Sequence, residues 1–401
     1  MLHTIQELQI RQKLPLEIKL RITQARVREW IDYYGVDGVY VSFSGGKDST
    51  VLLHIVRELY PEVKAVFIDT GLEYPEIRDF VKTFDNVDII RPKLTFKQVI
   101  DKYGYPFFSK EISEVVYGAR KYLTSLNNEA IIAQASKQAS KQASKQASKQ
   151  AYKYRYDQLL GAGIYSSELV SMLKRKMRDR SGGSNERLLI LLGELEKTTE
   201  SIPNRSKYNQ VKYKFMLEAP FEISNKCCNV MKKSPAHKYE RETGRRPIIA
   251  TMAEESRLRT QKWLQSGCNA FDAKAPVSKP LSFWREQDIL RYIKENNIEI
   301  CKVYGDIVTD YGDELTGQMD ISELGLIEDT RRLKLSGCDR TGCMFCGFGC
   351  HLEKSPNRFE RMRDTHPKQY DYIMRPKDKG GLDYKNIIDW INKNGGFNIK
   401  Y

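Results

Sequence analysis

The sequence predicts an α/β protein built on an open parallel sheet, with a helical insertion and a Cys-rich C-terminal region. Three observations carry this. Short β-branched and aromatic runs alternate with a helical run between residues 38 and 92, which is the strand, helix, strand order of a parallel sheet covered by helices. A glycine-rich turn sits where the first strand meets the first such helix. Four of the eight cysteines crowd into residues 338 to 350.

Before the first strand, residues 16 to 34 place Leu16, Leu20, Val27 and Ile31 at helical intervals after Pro15, so an amphipathic helix is expected to open the fold. GVYVSF at 38–43 and VKAVFID at 63–69 read as strands, VLLHIVREL at 51–59 as the helix between them, and VDIIRP at 87–92 as a third strand. From about residue 112 the pattern turns polar and helical until about 210. Four copies of Ala-Ser-Lys-Gln run from Ala135 to Gln150; each copy advances a helix by about 400°, so the lysines spiral and no apolar stripe forms. That segment reads as a solvated helix or a tether. Residues 174–187 are basic around a Gly-Gly hinge, a candidate contact for nucleic acid. Globular patterning resumes at YKFMLEAPFEI, 213–223. RPIIATM at 246–252 reads as a later core strand, residues 280–297 as a helix entered through Pro280, and 386–393 as a closing amphipathic helix. The expected division is therefore 1–35, 36–111, 112–212, 213–330 and 331–401, with 36–111 and 213–330 forming one α/β domain around the insertion.

Sixty-six Lys and Arg against 52 Asp and Glu leave a formal charge of +14, which favours anionic partners such as nucleotides or nucleic acid. Forty per cent hydrophobic residues with a mean hydropathy of −0.56 exclude collagen-like, fibrous and wholly disordered classes. No run of about 18 apolar residues and no leader-like N-terminus is seen. A cytoplasmic protein without membrane association is the expectation. In such a reducing compartment, grouped cysteines bind metal or do redox chemistry more often than they pair.

Ser44-Gly45-Gly46-Lys47-Asp48-Ser49-Thr50 lies between expected strand and expected helix. Backbone N–H groups and the positive end of the helix dipole converge there. The glycines allow close approach of a phosphate, Lys47 adds a point charge, and the Ser44, Ser49 and Thr50 hydroxyls are further donors. The spacing is not that of a Walker A loop. The run from Ser42 and Phe43 through Ser49, SFSGGKDS, resembles the PP-loop of the adenine nucleotide alpha hydrolase superfamily. Asp69-Thr70-Gly71-Leu72-Glu73-Tyr74-Pro75 resembles the Asp-Thr-Gly pattern of the phosphoadenosine phosphosulfate (PAPS) reductase family. The resemblance implies a Rossmann-like sheet of the PP-loop type, and nucleotide binding by Ser42, Phe43, Ser44, Gly45, Gly46, Lys47, Asp48, Ser49 and Asp69.

Two cysteine groupings compete. Cys338, Cys343, Cys346 and Cys350 form a local C-x4-C-x2-C-x3-C run whose spacing suits zinc or an iron–sulfur centre. The resemblance favours another set: Cys227-Cys228 followed by Lys232 is similar to the Cys-Cys-x-x-Leu-Lys motif of adenylyl sulfate reductases, and Gly342-Cys343-x-x-Cys346 to their later Gly-Cys-x-x-Cys. It implies a [4Fe-4S] cluster held by Cys227, Cys228, Cys343 and Cys346. Cys268 and Cys301 read as small core residues, and His351 as a surface residue.

Glu255-Ser256 with Arg259, and Pro280-Leu281 with Trp284, Asp288-Ile289 and Tyr292-Ile293, resemble later blocks of the same family. Lys47, Lys232 and Arg259 are expected to stabilise charge on the phosphates, and Asp48 is a candidate to orient Mg2+ or its water. Two departures stand out. Ala250 and Met252 replace the glycine and arginine of a family block, and no cysteine follows Cys350, where the reductases carry their attacking thiolate. The expected function is chemistry on an adenine nucleotide at or next to the α-phosphate: ATP-dependent adenylylation with sulfur transfer to an acceptor, or alternatively reduction of adenylyl sulfate or PAPS to sulfite. A sulfur- or electron-donor protein is an expected partner. A third reading is a nucleic-acid-binding module that uses nucleotide and cluster structurally.

Overall fold

The computed structural model describes residues 2–121, 191, 210–310 and 332–401. The Ala-Ser-Lys-Gln repeats and the basic stretch at 174–187 lie outside the described residues. The chain forms two compact units, Met1–Phe96 with Asn229–Met344, and Lys97–Cys228 with Phe345–Tyr401.

The first unit begins with a helix ahead of the one expected after Pro15, α1 (Ile5–Gln12). Its signal is a capping box: the Thr4 hydroxyl accepts the Glu7 amide and the Glu7 carboxylate accepts the Thr4 amide, which satisfies two otherwise orphaned donors. Next come α2 (Leu16–Tyr34), β1 (Val39–Ser42), α3 (Lys47–Leu59), β2 (Ala65–Ile68), α4 (Pro75–Val81) and β3 (Val87–Ile90). After residue 229 the unit adds β5 (Arg246–Ile249), β6 (Asn269–Ala270) and β7 (Val277–Ser278). These strands form one sheet in the order β3-β2-β1-β5-β7-β6, parallel except for β6 against β7. β1 is the strand from which the order runs out in both directions, and such a position opens a crevice beyond the strands' carboxyl ends.

The central strands β1 and β2 are buried on both faces, so they read as apolar runs rather than alternating ones. Val39, Val41, Phe43, Ala65 and Phe67 pack against Val51, Leu52, Ile55 and Val56 of α3, and Val27, Trp30 and Ile31 of α2 join the same core. Cys268 and Cys301 are buried in it. The expected helix from Pro280 starts later, at Glu286, and runs to Glu295. Asp288 decides this: its carboxylate accepts the Arg285 amide at 2.6 Å and the Lys19 ammonium at 2.6 Å, fixing the first turn at 285–288. The chain before it is held by Thr23, which accepts the Trp284 indole N–H and donates to the Pro280 carbonyl. A hairpin of β8 (Ile307–Asp310) and β9 (Arg332–Leu335) completes the unit.

In the second unit, α5 (Phe96–Tyr103) leads into β4 (Phe107–Phe108), which pairs in parallel with β10 (Gly347–Phe348). The 213–223 stretch begins inside a 3-10 helix, Val211–Glu218. Three helices, Arg358–Thr365, Pro367–Met374 and Tyr384–Gly395, end the chain. His351, expected at the surface, is instead half-buried among Phe108, Tyr213 and Phe397, with its Nε2 3.2 Å from the Tyr213 hydroxyl. Aromatic packing outweighs the imidazole's preference for water here, and burial, then Lys212, pushes its pKa down to about 4.

Candidate active site: a glycine turn beside a cavity

The turn after β1 is built by its glycines and hydroxyls. Gly45 has φ +69°, and a Cβ there would lie 2.8 Å from a Val81 methyl and 2.9 Å from an Ile77 methyl, so neither the conformation nor the space admits a side chain. Gly46 caps α3. The Ser49 and Thr50 hydroxyls donate to the Gly46 carbonyl, and the Ser44 amide donates to Ser49 Oγ.

Lys47 is enclosed. Its ammonium lies 3.0 Å from Glu286 and 3.5 Å from Asp48, and donates to the Asp339 carbonyl at 3.1 Å. Burial works against the charged amine, but Asp48 and Glu286 outweigh it and raise its pKa. Asp48 is shifted upward by its own burial and by Glu286, against the pull of Lys47. The Lys47 backbone N–H donates to the Tyr304 hydroxyl at 3.1 Å. That hydroxyl is 2.6 Å from Thr341 Oγ1. The segment carrying Thr341 is held in turn, since the Gly337 and Cys338 amides donate to the Tyr304 and Val303 carbonyls and the Met344 amide to Leu72.

Beside the turn lies a cavity of about 250 Å³. The strand ends Ser42, Phe43 and Ser44 of β1 and Val66, Phe67 and Ile68 of β2 form its floor, with Glu73, Tyr74, Lys232, Lys233, Thr341 and Gly342 around it. Lys232 stands 3.6 Å from Glu73, whose carboxylate also accepts the Thr70 amide and hydroxyl. Of the residues singled out in the sequence, Ser42, Phe43, Ser44 and Lys232 line the cavity; Gly45, Gly46, Lys47, Asp48 and Ser49 form the adjoining turn. Asp69 faces elsewhere. Its carboxylate holds Arg78 at 3.0 Å, Arg91 at 3.2 Å and the Gly71 amide, and Arg78 leads the effects that overcome its burial and lower its pKa. Arg259 also stays off the cavity, paired with Glu255, which Arg340 reaches at 3.3 Å. Met252 is 1% exposed in the core.

Reading along the sequence missed Glu286, Tyr304 and Thr341. Thr341 directly precedes the Gly342-Cys343 motif, and Glu73 and Tyr74 belong to the Asp-Thr-Gly run. Glu286 and Tyr304 left no local signal. A larger cavity, about 550 Å³, shares Glu286 and Asp339. Its carboxylates Glu254, Glu286, Asp310 and Asp339 outnumber its cations Arg285, Arg332 and Lys334, so the smaller one suits an anion better.

In the second unit charge links three thiols, Cys228 acting on Cys346 and Cys346 on Cys350. Burial, with Cys228 among lesser influences, raises the Cys346 pKa; burial pushes Cys350 up to about 12; and the Tyr384 hydroxyl feels Cys346, Cys227 and Cys350. Arg358 donates to the Cys346 carbonyl at 2.7 Å and is held by Glu353. Thiols are the right donors for an iron–sulfur centre. Among the described residues, however, no three Cys, His, Asp or Glu side chains converge to hold a metal ion. No described helix is long and apolar enough to cross a membrane.

The family model for the phosphoadenosine phosphosulfate reductase domain matches residues 38–156 and 193–347. An adenosine 5'-phosphosulfate reductase of Staphylococcus haemolyticus is 24% identical over 121 residues, 26% of this chain and 50% of that protein. One of Bacillus cytotoxicus is 32% identical over 84 residues, 20% of this chain and 36% of the other. An uncharacterized protein of Methanocaldococcus jannaschii is 37% identical over 73 residues, 17% and 18% of the two chains. The matches thus span at most half the length of these curated relatives. A solved phosphoadenylyl-sulfate reductase from Candida auris, in a phosphate complex, aligns over 70% of this chain and 82% of its own, at 11% identity and a TM-score of 0.32.

Proposed function

Because the chain belongs to the phosphoadenosine phosphosulfate reductase domain family, we propose that it binds an adenine nucleotide in the cavity at the ends of β1 and β2 and acts on the group joined to the α-phosphate. The substrate class is a sulfonucleotide, adenylyl sulfate or its 3'-phosphorylated form. One observation carries this reading: the cavity brings Lys232, Lys233 and the Ser44 end of the glycine turn around one apolar floor, the mixture that an anion on an aromatic base requires. In this reading Phe67 and Ile68 exclude water from the base, Lys232 and Lys233 neutralise the anionic end, and Glu73 orients Lys232. The ammonium of Lys47, already satisfied by Glu286, Asp48 and Asp339, fixes the turn.

A second reading, adenylylation of an acceptor by ATP, is favoured by Met252. This apolar core residue stands where sulfonucleotide reductases carry an arginine, so that position contributes no charge to a phosphosulfate clamp. Sulfite release from either sulfonucleotide supports the first reading, pyrophosphate release from ATP supports the second, and no turnover of any of the three overturns both. A [4Fe-4S] cluster, which would supply redox or sulfur-handling chemistry, is proposed on Cys227, Cys228, Cys343 and Cys346. Iron and sulfide assays after anaerobic purification test it: loss of iron in Cys228→Ser with retention in Cys338→Ser supports this set, and the converse supports the local run.

A further inference from the structure

Tyr304 is 2% exposed, and its hydroxyl has two neighbours. It accepts the Lys47 amide at 3.1 Å, and 2.6 Å away lies Thr341 Oγ1. A phenol has one hydrogen to give. Among the described residues no acceptor other than Thr341 Oγ1 reaches it, and leaving that hydrogen unpaired in the interior would cost about 1–3 kcal/mol. Tyr304 therefore donates to Thr341, and burial, by raising the phenol's pKa, keeps that hydrogen in place. The consequence falls on Thr341. Its oxygen is engaged as acceptor, its own hydrogen is not used by any described residue, and it lines the cavity.

We propose that Lys47 N–H, Tyr304 and Thr341 form a directed hydrogen-bond relay that carries the donor character of the α3 start into the cavity, making the Thr341 hydroxyl a donor to the ligand's phosphoryl or sulfonyl oxygen. This deepens the nucleotide reading above and rests on it. The first-turn amide of α3 is one of the orphan donors that make helix starts attractive to anions. Here the amide faces a phenol, and polarisation along successive hydrogen bonds strengthens the last member. Thr341 is thus a specificity-determining residue for the anionic end of the ligand, and Tyr304 a positioning residue that fixes which way the threonine hydroxyl points.

The test is calorimetric titration of AMP, adenosine and inorganic sulfate against the wild-type chain, Thr341→Val, Thr341→Ser and Tyr304→Phe, with thermal unfolding of each variant alongside. A hydrogen bond to a charged group is worth enough that Thr341→Val is expected to weaken AMP and sulfate roughly ten- to hundred-fold. Adenosine affinity stays within about two-fold. Thr341→Ser restores AMP binding, and Tyr304→Phe combined with Thr341→Val is no weaker than Thr341→Val alone. Equal losses for AMP and adenosine, no loss for either, or failure of the serine to rescue would overturn the relay while the nucleotide reading stands. Sulfate binding that depends on Thr341 without any AMP or adenosine binding would overturn the nucleotide reading and leave the relay. A wild-type chain that binds none of the three overturns both.

Discussion

Gly45 and Gly71 both hold left-handed backbone, at φ +69° and +73°, yet their surroundings differ. A Cβ at Gly45 would meet Val81 and Ile77 inside 3 Å, whereas nothing lies within 4 Å at Gly71. Each alanine carries the conformational cost of about 1–2 kcal/mol, and only the first adds overpacking of about 1–3 kcal/mol. Urea unfolding is expected to place Gly45→Ala about 2–5 kcal/mol below wild type and Gly71→Ala about 1–2 kcal/mol below it; equal losses would refute the packing argument. Lys232 is expected to matter in another way. Its exchange for Ala should weaken AMP binding about ten-fold by calorimetry with little change in unfolding, because Lys232 is 44% exposed and 3.6 Å from Glu73, whose carboxylate keeps the Thr70 amide and hydroxyl without it.

Between elements, the buried Lys19–Asp288 contact ties α2 to the helix Glu286–Glu295. Asp288→Ala strands an ammonium that is 2% exposed, so a loss of about 3–5 kcal/mol is expected. Replacing both partners with Met and Leu should recover most of it in the same unfolding assay. The second unit has a pH-sensitive element in its aromatic cluster. The folded-state pKa of His351, about 4, lies under the roughly 6.5 of a free imidazole. The unfolded chain therefore takes the proton first: His351's contribution is intact above about pH 6.5 and drains away as pH falls towards 4. The unfolding midpoint should decline more shallowly over that window in His351→Phe than in wild type. The strands and helices around the turn were legible because their signals are local: Val39 to Ser42, Ala65 to Ile68 and the α3 run each declare themselves within a dozen residues. The start of the Glu286 helix was not, because Asp288 answers to Lys19, 269 residues away.

At the scale of the molecule, a formal charge of +14 predicts that AMP binding weakens several-fold as salt rises from about 0.05 to 0.5 M, where charges are screened within a few ångströms, while adenosine binding does not. Salt-independent AMP affinity would show that the anion is not read electrostatically. The glycine turn was legible in the sequence as the link from β1 to α3 because its residue types and its strand-to-helix setting lie side by side. The fate of Lys47 was not. A lysine in such a turn reads as a charge for phosphate, and only folding reveals that Glu286 and the Asp339 carbonyl have claimed it. Asp69 likewise reads as a ligand contact, and its pairing with Arg78 and Arg91 left no trace in the sequence.

The Lys47 ammonium finds the Asp339 carbonyl across 292 residues. At roughly 5–20 residues per second of synthesis, the emerging turn waits about 15–60 seconds for the partner that will enclose it. During that interval a ribosome-bound chain carries an exposed lysine and a bare helix start, open to any cellular anion, and the wall bearing Thr341 arrives only with the residues that follow Asp339.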